Sequence, residues 1–224
     1  SVMKTYTYMA AMEAGTYKGD EKFKSGKYTT SDGTNIYDWL KSGFGDITYD
    51  EGFAYSSNVG IINLIDKHMN KTILADYFEK LGFGKKTGIT LSNEAKGKIS
   101  FKYETEVFNA GFGQGIMTTQ MQHIQALTSI ANDGVMLKPY IIDKVVDENN
   151  KVVFKGQKEE LGTVASHETV EKMKDLMYDV VHSSSPYATG TGYYLKGYDL
   201  IGKTGTAQIY DYTKGRYMSG ESDY

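Results

Sequence analysis

The sequence has no cysteine among its 224 residues. That removes a thiolate nucleophile, a disulfide framework and cysteine-ligated zinc, and it fits either redox compartment. The four histidines, His68, His123, His167 and His182, are scattered without metal-ligand spacing. No metal is therefore expected, and a Ser-His-Asp triad has no evident base. His68 and His123 fit satisfied positions on helix flanks better than catalytic ones. No apolar run approaches the roughly 18 residues of a transmembrane helix, and the start carries no signal-peptide pattern. Basic runs are also absent. The formal charge is 25 − 28 = −3, which argues against a nucleic-acid partner. Proline is scarce at two, tryptophan occurs once, and hydrophobic content is 40%. These values fit a globular chain and not a disordered one.

What is present reads as alternating helices and short strands. Residues 1–14 carry Val2, Tyr6, Met9 and Ala10 at helical spacing, with Gly15 as the stop. The opening has no initiator Met, so a piece of a longer protein is expected. Residues 16–50 read as irregular with short strands or turns, and Trp39 as a packing anchor. A helix is expected over 59–69, and another over 72–81 ended by Gly82. Residues 83–106 read as loops and short strands, and Phe112-Gly113-Gln114-Gly115 as a tight turn. That turn lacks the sequence of a phosphate loop, and no cofactor is expected. A helix over 118–132 should turn Met121, Ile124, Leu127 and Ile130 inward. A hairpin should pair 140–146 with 151–154. Ser166 should cap a helix with Val170, Met173, Leu176, Met177 and Val180 inward. Residues 183–192 form a Ser/Thr/Gly loop in which Thr189 is a candidate for tuning access to a site. Residues 199–210 read as a strand, followed by a turn at Lys214-Gly215.

Three short patterns carry chemistry. Ser1 and Lys4 stand three apart at a helix start, so they share a face. Ser1 could simply be an N-cap. The alternative is a hydroxyl beside an amine that acts as a base once desolvated. Ser56 and Asn58 enter the next helix, where a serine can cap or relay a proton. Lys203-Thr204-Gly205-Thr206 offers a cation, hydroxyls and a residue without a side chain, a suitable wall for an anionic substrate.

Ser-x-x-Lys, Ser-x-Asn and Lys-Thr-Gly in this order are a combination found in penicillin-binding proteins and serine β-lactamases. Together with Tyr55-Ser56-Ser57-Asn58-Val59-Gly60, Phe112-Gly113-Gln114-Gly115, the run at 131–139 and Lys203-Thr204-Gly205-Thr206-Ala207-Gln208, the chain resembles class B penicillin-binding proteins. The likeness is nearest to division-type transpeptidases of Gram-positive bacteria and covers almost the whole chain. It implies an α/β (α+β) fold, an antiparallel sheet flanked by helices beside an all-helical lobe. Residues 1–224 would be one transpeptidase domain, truncated at both ends. The segment before the nucleophile, later sheet strands and a membrane anchor would lie outside.

The resemblance further implies peptidoglycan D,D-transpeptidation through an acyl-serine. Ser1 would be the nucleophile, Lys4 its base and Ser56 the proton relay. Asn58 would hold a substrate amide. Lys203, Thr204 and Thr206 would bind the terminal carboxylate of D-Ala-D-Ala or a β-lactam, and Gly205 would let it lie alongside. Backbone N–H groups of Ser1 and Thr206 would form the oxyanion hole. The implied partners are peptidoglycan stem peptides, β-lactams and division or elongation machinery, on the extracytoplasmic face of a bacterial membrane. A serine β-lactamase is the nearest alternative. It needs a glutamate to activate water, with Glu94, Glu104 and Glu106 as candidates by position only. A D,D-carboxypeptidase and a non-catalytic β-lactam sensor or cell-wall binding domain also retain the three patterns. The transpeptidase reading requires the first helix's opening turn and the 203–206 segment to meet within about 10 Å, the reach of a hydrogen bond or a bridging water.

Overall fold

The computed structural model describes residues 1–90, 92–206 and 213, together with the backbone of 210–211 and 216–217. Its centre is helix α1 (Met3–Glu13), in which Met3 to Ala11 are all buried. Burial on every side explains why α1 carries Met, Ala, Thr and Tyr all round and no one-sided stripe. Gly15, at φ +68, ends the helix in the left-handed conformation that glycine adopts without strain.

Strands β1 (Lys22–Lys24), β2 (Lys27–Thr29), β3 (Asn35–Tyr37) and β4 (Asp46–Thr48) follow as two antiparallel pairs, β1 with β4 and β2 with β3. Helix α2 (Tyr49–Ala54) starts at a capping box in which Thr48 and Glu51 satisfy each other's backbone N–H. Helix α3 (Asn58–Asn63) is capped by Ser57 and runs into a π-helical turn at Leu64–His68. The helix expected over 59–69 is therefore α-helical only in its first part. Helix α4 (Lys71–Lys80) is capped by Asn70. Helix α5 (Glu104–Phe112) begins inside the stretch expected to be loop.

In helix α6 (Gln120–Ala131) the buried face is Gln122, Gln125, Ala126, Ser129 and Ile130. Ile124, expected inward, is 48% exposed. Polar groups win here because the fold needs their bonds. Gln122 Nε2 donates to the carbonyls of Lys85 at 2.6 Å and Lys96 at 2.8 Å, which would be unsatisfied without it. Strand β5 (Val135–Leu137) pairs with β8 (Glu160–Thr163). Strand β6 (Lys144–Val146) pairs with β7 (Val152–Lys155) as the expected hairpin, shorter and with an irregularity at Val145–Val146. Helix α7 (His167–His182) has Ser166 as N-cap and Val170, Met173, Leu176, Met177 and Val180 buried. It packs on α1 and α2.

The architecture is mixed α/β. Among the described residues the strands form five separate antiparallel pairs, the last being β9 (Tyr210–Asp211) with β10 (Arg216–Tyr217), and not one continuous sheet. The strand expected over 199–210 is not found through Thr206, and 207–209 lie outside the described residues, as does the turn at Lys214-Gly215. A strand exists by its partner's hydrogen bonds. Residues 200–206 meet helix termini and side chains instead: Gly202 N–H donates to Met177 O at 3.1 Å.

Candidate active site

The amino end of α1, the turn between α2 and α3, and the 202–206 segment converge on a cleft of about 1400 Å³. Ser1 does not cap α1. The first helical residue follows Val2, which makes no side-chain cap bond. Instead Ser1 Oγ donates to Thr206 O at 3.1 Å, with Thr206 Oγ1 at 3.5 Å. The Ser1 nitrogen donates to the same carbonyl at 3.2 Å. The opening turn of α1 and the 203–206 segment thus meet well inside the required 10 Å. Among the described residues the Thr206 N–H has no hydrogen-bond acceptor.

Lys4 lies one turn into α1 and is 1% exposed. Its Nζ donates to Ser56 O at 2.5 Å and to Ser56 Oγ at 3.1 Å. Its Nζ makes no direct hydrogen bond to Ser1 among the described residues; the spacing expectation of an amine against that hydroxyl is met only in that both residues line one cleft. Lys203 Nζ donates to the same Ser56 Oγ at 2.8 Å. One hydroxyl therefore sits between two amines. Both cannot comfortably be charged. Burial pushes the Lys203 amine down to about 7. Burial first, and then the Lys203 charge, hold Lys4 well below its ordinary value, while Asp38 acts in the opposite direction. A buried, neutral lysine amine is a competent base.

Ser56 adopts φ +56, rare for a residue with a side chain. Its carbonyl and hydroxyl both face Lys4 as a result. Asn58 donates Nδ2 to Tyr37 O at 3.0 Å. Its Oδ1 is left to accept an N–H from a ligand, with no partner among the described residues. Thr204 Oγ1 meets Thr189 Oγ1 at 2.7 Å, and Thr189 N–H donates to Ala54 O at 3.2 Å. The 183–192 loop thus reaches the 203–206 wall of the cleft through Thr189. Gly205 has Val2 Cγ2 3.2 Å from where a Cβ would stand, so a side chain there would press on the start of α1.

Trp39 is not a packing anchor. It is 56% exposed, lines the cleft, and its Nε1 donates to Tyr55 O at 2.9 Å. Sequence reasoning missed Asp38, Tyr37 and Gln114, which also line the cleft. Gln114 stands in the Phe112-Gly113-Gln114-Gly115 turn, which was read for its glycines, and Tyr37 and Asp38 stand in no motif that would have signalled them. The three glutamates considered as water-activating bases are elsewhere and occupied. Glu94 accepts from Thr87 and Gly88, Glu104 from Ser31, and Glu106 from Ser100, Lys102 and Tyr103. His123 is engaged by Tyr6 and Thr118, and His68 by Glu21.

A family model described as the penicillin binding protein transpeptidase domain matches residues 1–223. Stage V sporulation protein D of Bacillus subtilis is 33% identical over 215 residues, covering 93% of this chain and 32% of that protein. Penicillin Binding Protein 2X from Streptococcus thermophilus superposes with a TM-score of 0.89 at 28% identity, covering 98% of this chain and 33% of the other. Penicillin binding protein 3 from Mycobacterium tuberculosis, complexed with aztreonam, gives 0.86 at 28% identity, covering 97% and 50%. The chain spans about a third of the length of the curated relatives it matches.

Proposed function

This chain belongs to the penicillin-binding protein transpeptidase family, and from its cleft we propose that it is a serine peptidoglycan D,D-transpeptidase, with residues 1–224 forming one catalytic domain. The observation that carries the reading is Ser56 Oγ held between Lys4 and Lys203, beside Ser1. In the first step Ser1 Oγ attacks the carbonyl of the penultimate D-Ala, and the hydroxyl proton passes to Lys4. The C–N bond to the terminal D-Ala breaks, and that amine takes a proton relayed through Ser56. The amine of a second stem peptide then attacks the ester, restoring the Ser1 hydroxyl and closing the cross-link. Lys203, Thr204 and Thr206 bind the terminal carboxylate, and Asn58 Oδ1 accepts a substrate N–H. Backbone N–H groups of Ser1 and Thr206 stabilise the developing oxyanion, each such donor contributing about 3 kcal/mol. A β-lactam would acylate the same serine. The substrate sets the location, the extracytoplasmic face of a bacterial membrane. Partners from division or elongation machinery belong to the same reading.

Hydrolysis as the main outcome is disfavoured because no glutamate lines the cleft among the described residues. The test offers a D-Ala-type thioester together with a D-amino acid acceptor. Exchange of the acceptor into product is expected, and the penicilloyl adduct should persist for hours. Hydrolysed thioester alone, or sub-second release of the penicilloyl group, overturns the reading in favour of a carboxypeptidase or a lactamase. Acylation without any turnover points to a sensor.

A further inference from the structure

Behind the 55–59 turn lies a carboxylate that none of the three sequence motifs contains. Asp38 is 3% exposed, yet it forms no ion pair with a described residue. Four donors satisfy it instead. Its Oδ1 accepts from Ser57 Oγ at 2.9 Å, Asn58 N–H at 2.6 Å and Val59 N–H at 3.0 Å. Its Oδ2 accepts from Gly26 N–H at 2.8 Å. The Asp38 N–H in turn donates to Gly26 O at 3.0 Å, which fixes the carboxylate's own backbone. A buried charge held by several N–H groups is rigid and costly to disturb.

Three of the four donors are the residues that follow Ser56. Among the described residues Ser56 itself bonds to Lys4, Lys203 and Phe53 O, and its φ of +56 is strained for a serine. Something must hold the chain on its far side, or the turn would relax toward an ordinary conformation and swing the hydroxyl away from the amines. We propose that Asp38 is the positioning residue of this site: by clamping residues 57–59 it holds Ser56 in the left-handed conformation that places its hydroxyl between Lys4 and Lys203. It also sets the aim of Asn58, whose N–H it binds while Tyr37 O, one residue away, takes the side-chain amide.

The carboxylate has a second effect. Lys4 has two ionisable neighbours that act on it: the Lys203 amine, which discourages its charge, and Asp38, which favours it. Removing the Asp38 charge therefore lets Lys4 lose its proton at lower pH. This inference rests on the proposed acyl-serine chemistry, so wild-type acylation by benzylpenicillin is the control. If wild type is not acylated, the functional reading fails and not merely this one.

The experiment measures the second-order acylation rate against pH for wild type and Asp38→Asn, with thermal unfolding beside it. Expected is a folded variant acylated roughly ten- to hundredfold more slowly at neutral pH, with the acid limb of its profile moved to lower pH. A folded variant with the wild-type rate overturns the proposal, as does a slower one whose acid limb stays in place. Should Asp38→Asn yield no folded protein, Ser57→Ala decides. It removes one donor and leaves the charge, so acylation should slow severalfold with the acid limb unmoved. Wild-type acylation in Ser57→Ala then overturns the proposal.

Discussion

Replacing Ser1 with alanine is expected to abolish the adduct with benzylpenicillin: intact mass after incubation should stay unchanged, where wild type gains the mass of the drug. Ser1 is the hydroxyl that stands at the start of α1, with the Thr206 carbonyl and hydroxyl beside it. Ser56 is a poor substitute nucleophile. It is 8% exposed and its hydroxyl is already shared by two amines. Ser57 is bound to Asp38 and caps α3. When a serine acyl-enzyme loses its nucleophile, the rate falls on the order of a millionfold, so residual labelling should be undetectable. The substitution removes one oxygen and leaves α1 uncapped as before, so the unfolding temperature should hardly move.

Lys4→Met should cost less than that, though still heavily, by a different route. Methionine fills the volume of the buried stem but supplies neither a base nor a donor for Ser56 O. General-base catalysis contributes about 10² to 10⁴, and the acylation rate is expected to fall at the upper end of that range because Ser56 loses its anchor too. The pH profile separates the two lysines. Lys4 acts as a neutral amine, so acylation should rise with pH as that amine loses its proton, and burial places the rise well below a free lysine's range. In the proposed mechanism Lys203 serves as a cation toward the substrate carboxylate, and burial pushes its amine down to about 7, so affinity should fall as pH climbs past neutrality. In Lys4→Met the acid limb should vanish and the alkaline decline remain. Stopped-flow acylation with a chromogenic cephalosporin reads both. Stability should hold or increase, since a buried amine is desolvated at a cost that methionine avoids.

How far the sequence revealed the molecule depended on where each residue finds its partners. Helix α7 was legible because its signals are local: Ser166 caps it, and one apolar stripe faces α1 and α2. Helix α5 was not, because Gly111 and Gly113 look like turn residues. Gly111 is there for packing. A Cβ at that position would stand 2.5 Å from Ile65 Cδ1, so only glycine lets α5 approach the α3 end so closely. The inward face of α6 was misjudged because Gln122 answers carbonyls 26 and 37 residues away, which no periodicity reveals. The three motifs stood out because each is a run of unusual residue types whose chemistry can be named. That 202–206 lies extended without a ladder among the described residues could not be read from its composition, since ladder partners are a tertiary matter. Asp38 left no trace at all. A lone acid between Tyr37 and Trp39 looks like a solvated turn residue, and its donors come from 12 residues before it and 19 to 21 after.

The most direct test of one cleft built from distant segments is to find where the penicilloyl group goes. Wild-type protein is incubated with benzylpenicillin, digested with trypsin and mapped by mass. The adduct is predicted on the peptide that ends at Lys4, attached to Ser1, and to be suppressed when Lys203, 202 residues from Ser1 in the chain (203 − 1 = 202), is replaced by alanine. An adduct on the peptide carrying Ser56 and Ser57, or labelling of Ser1 that is indifferent to Lys203, would contradict the account.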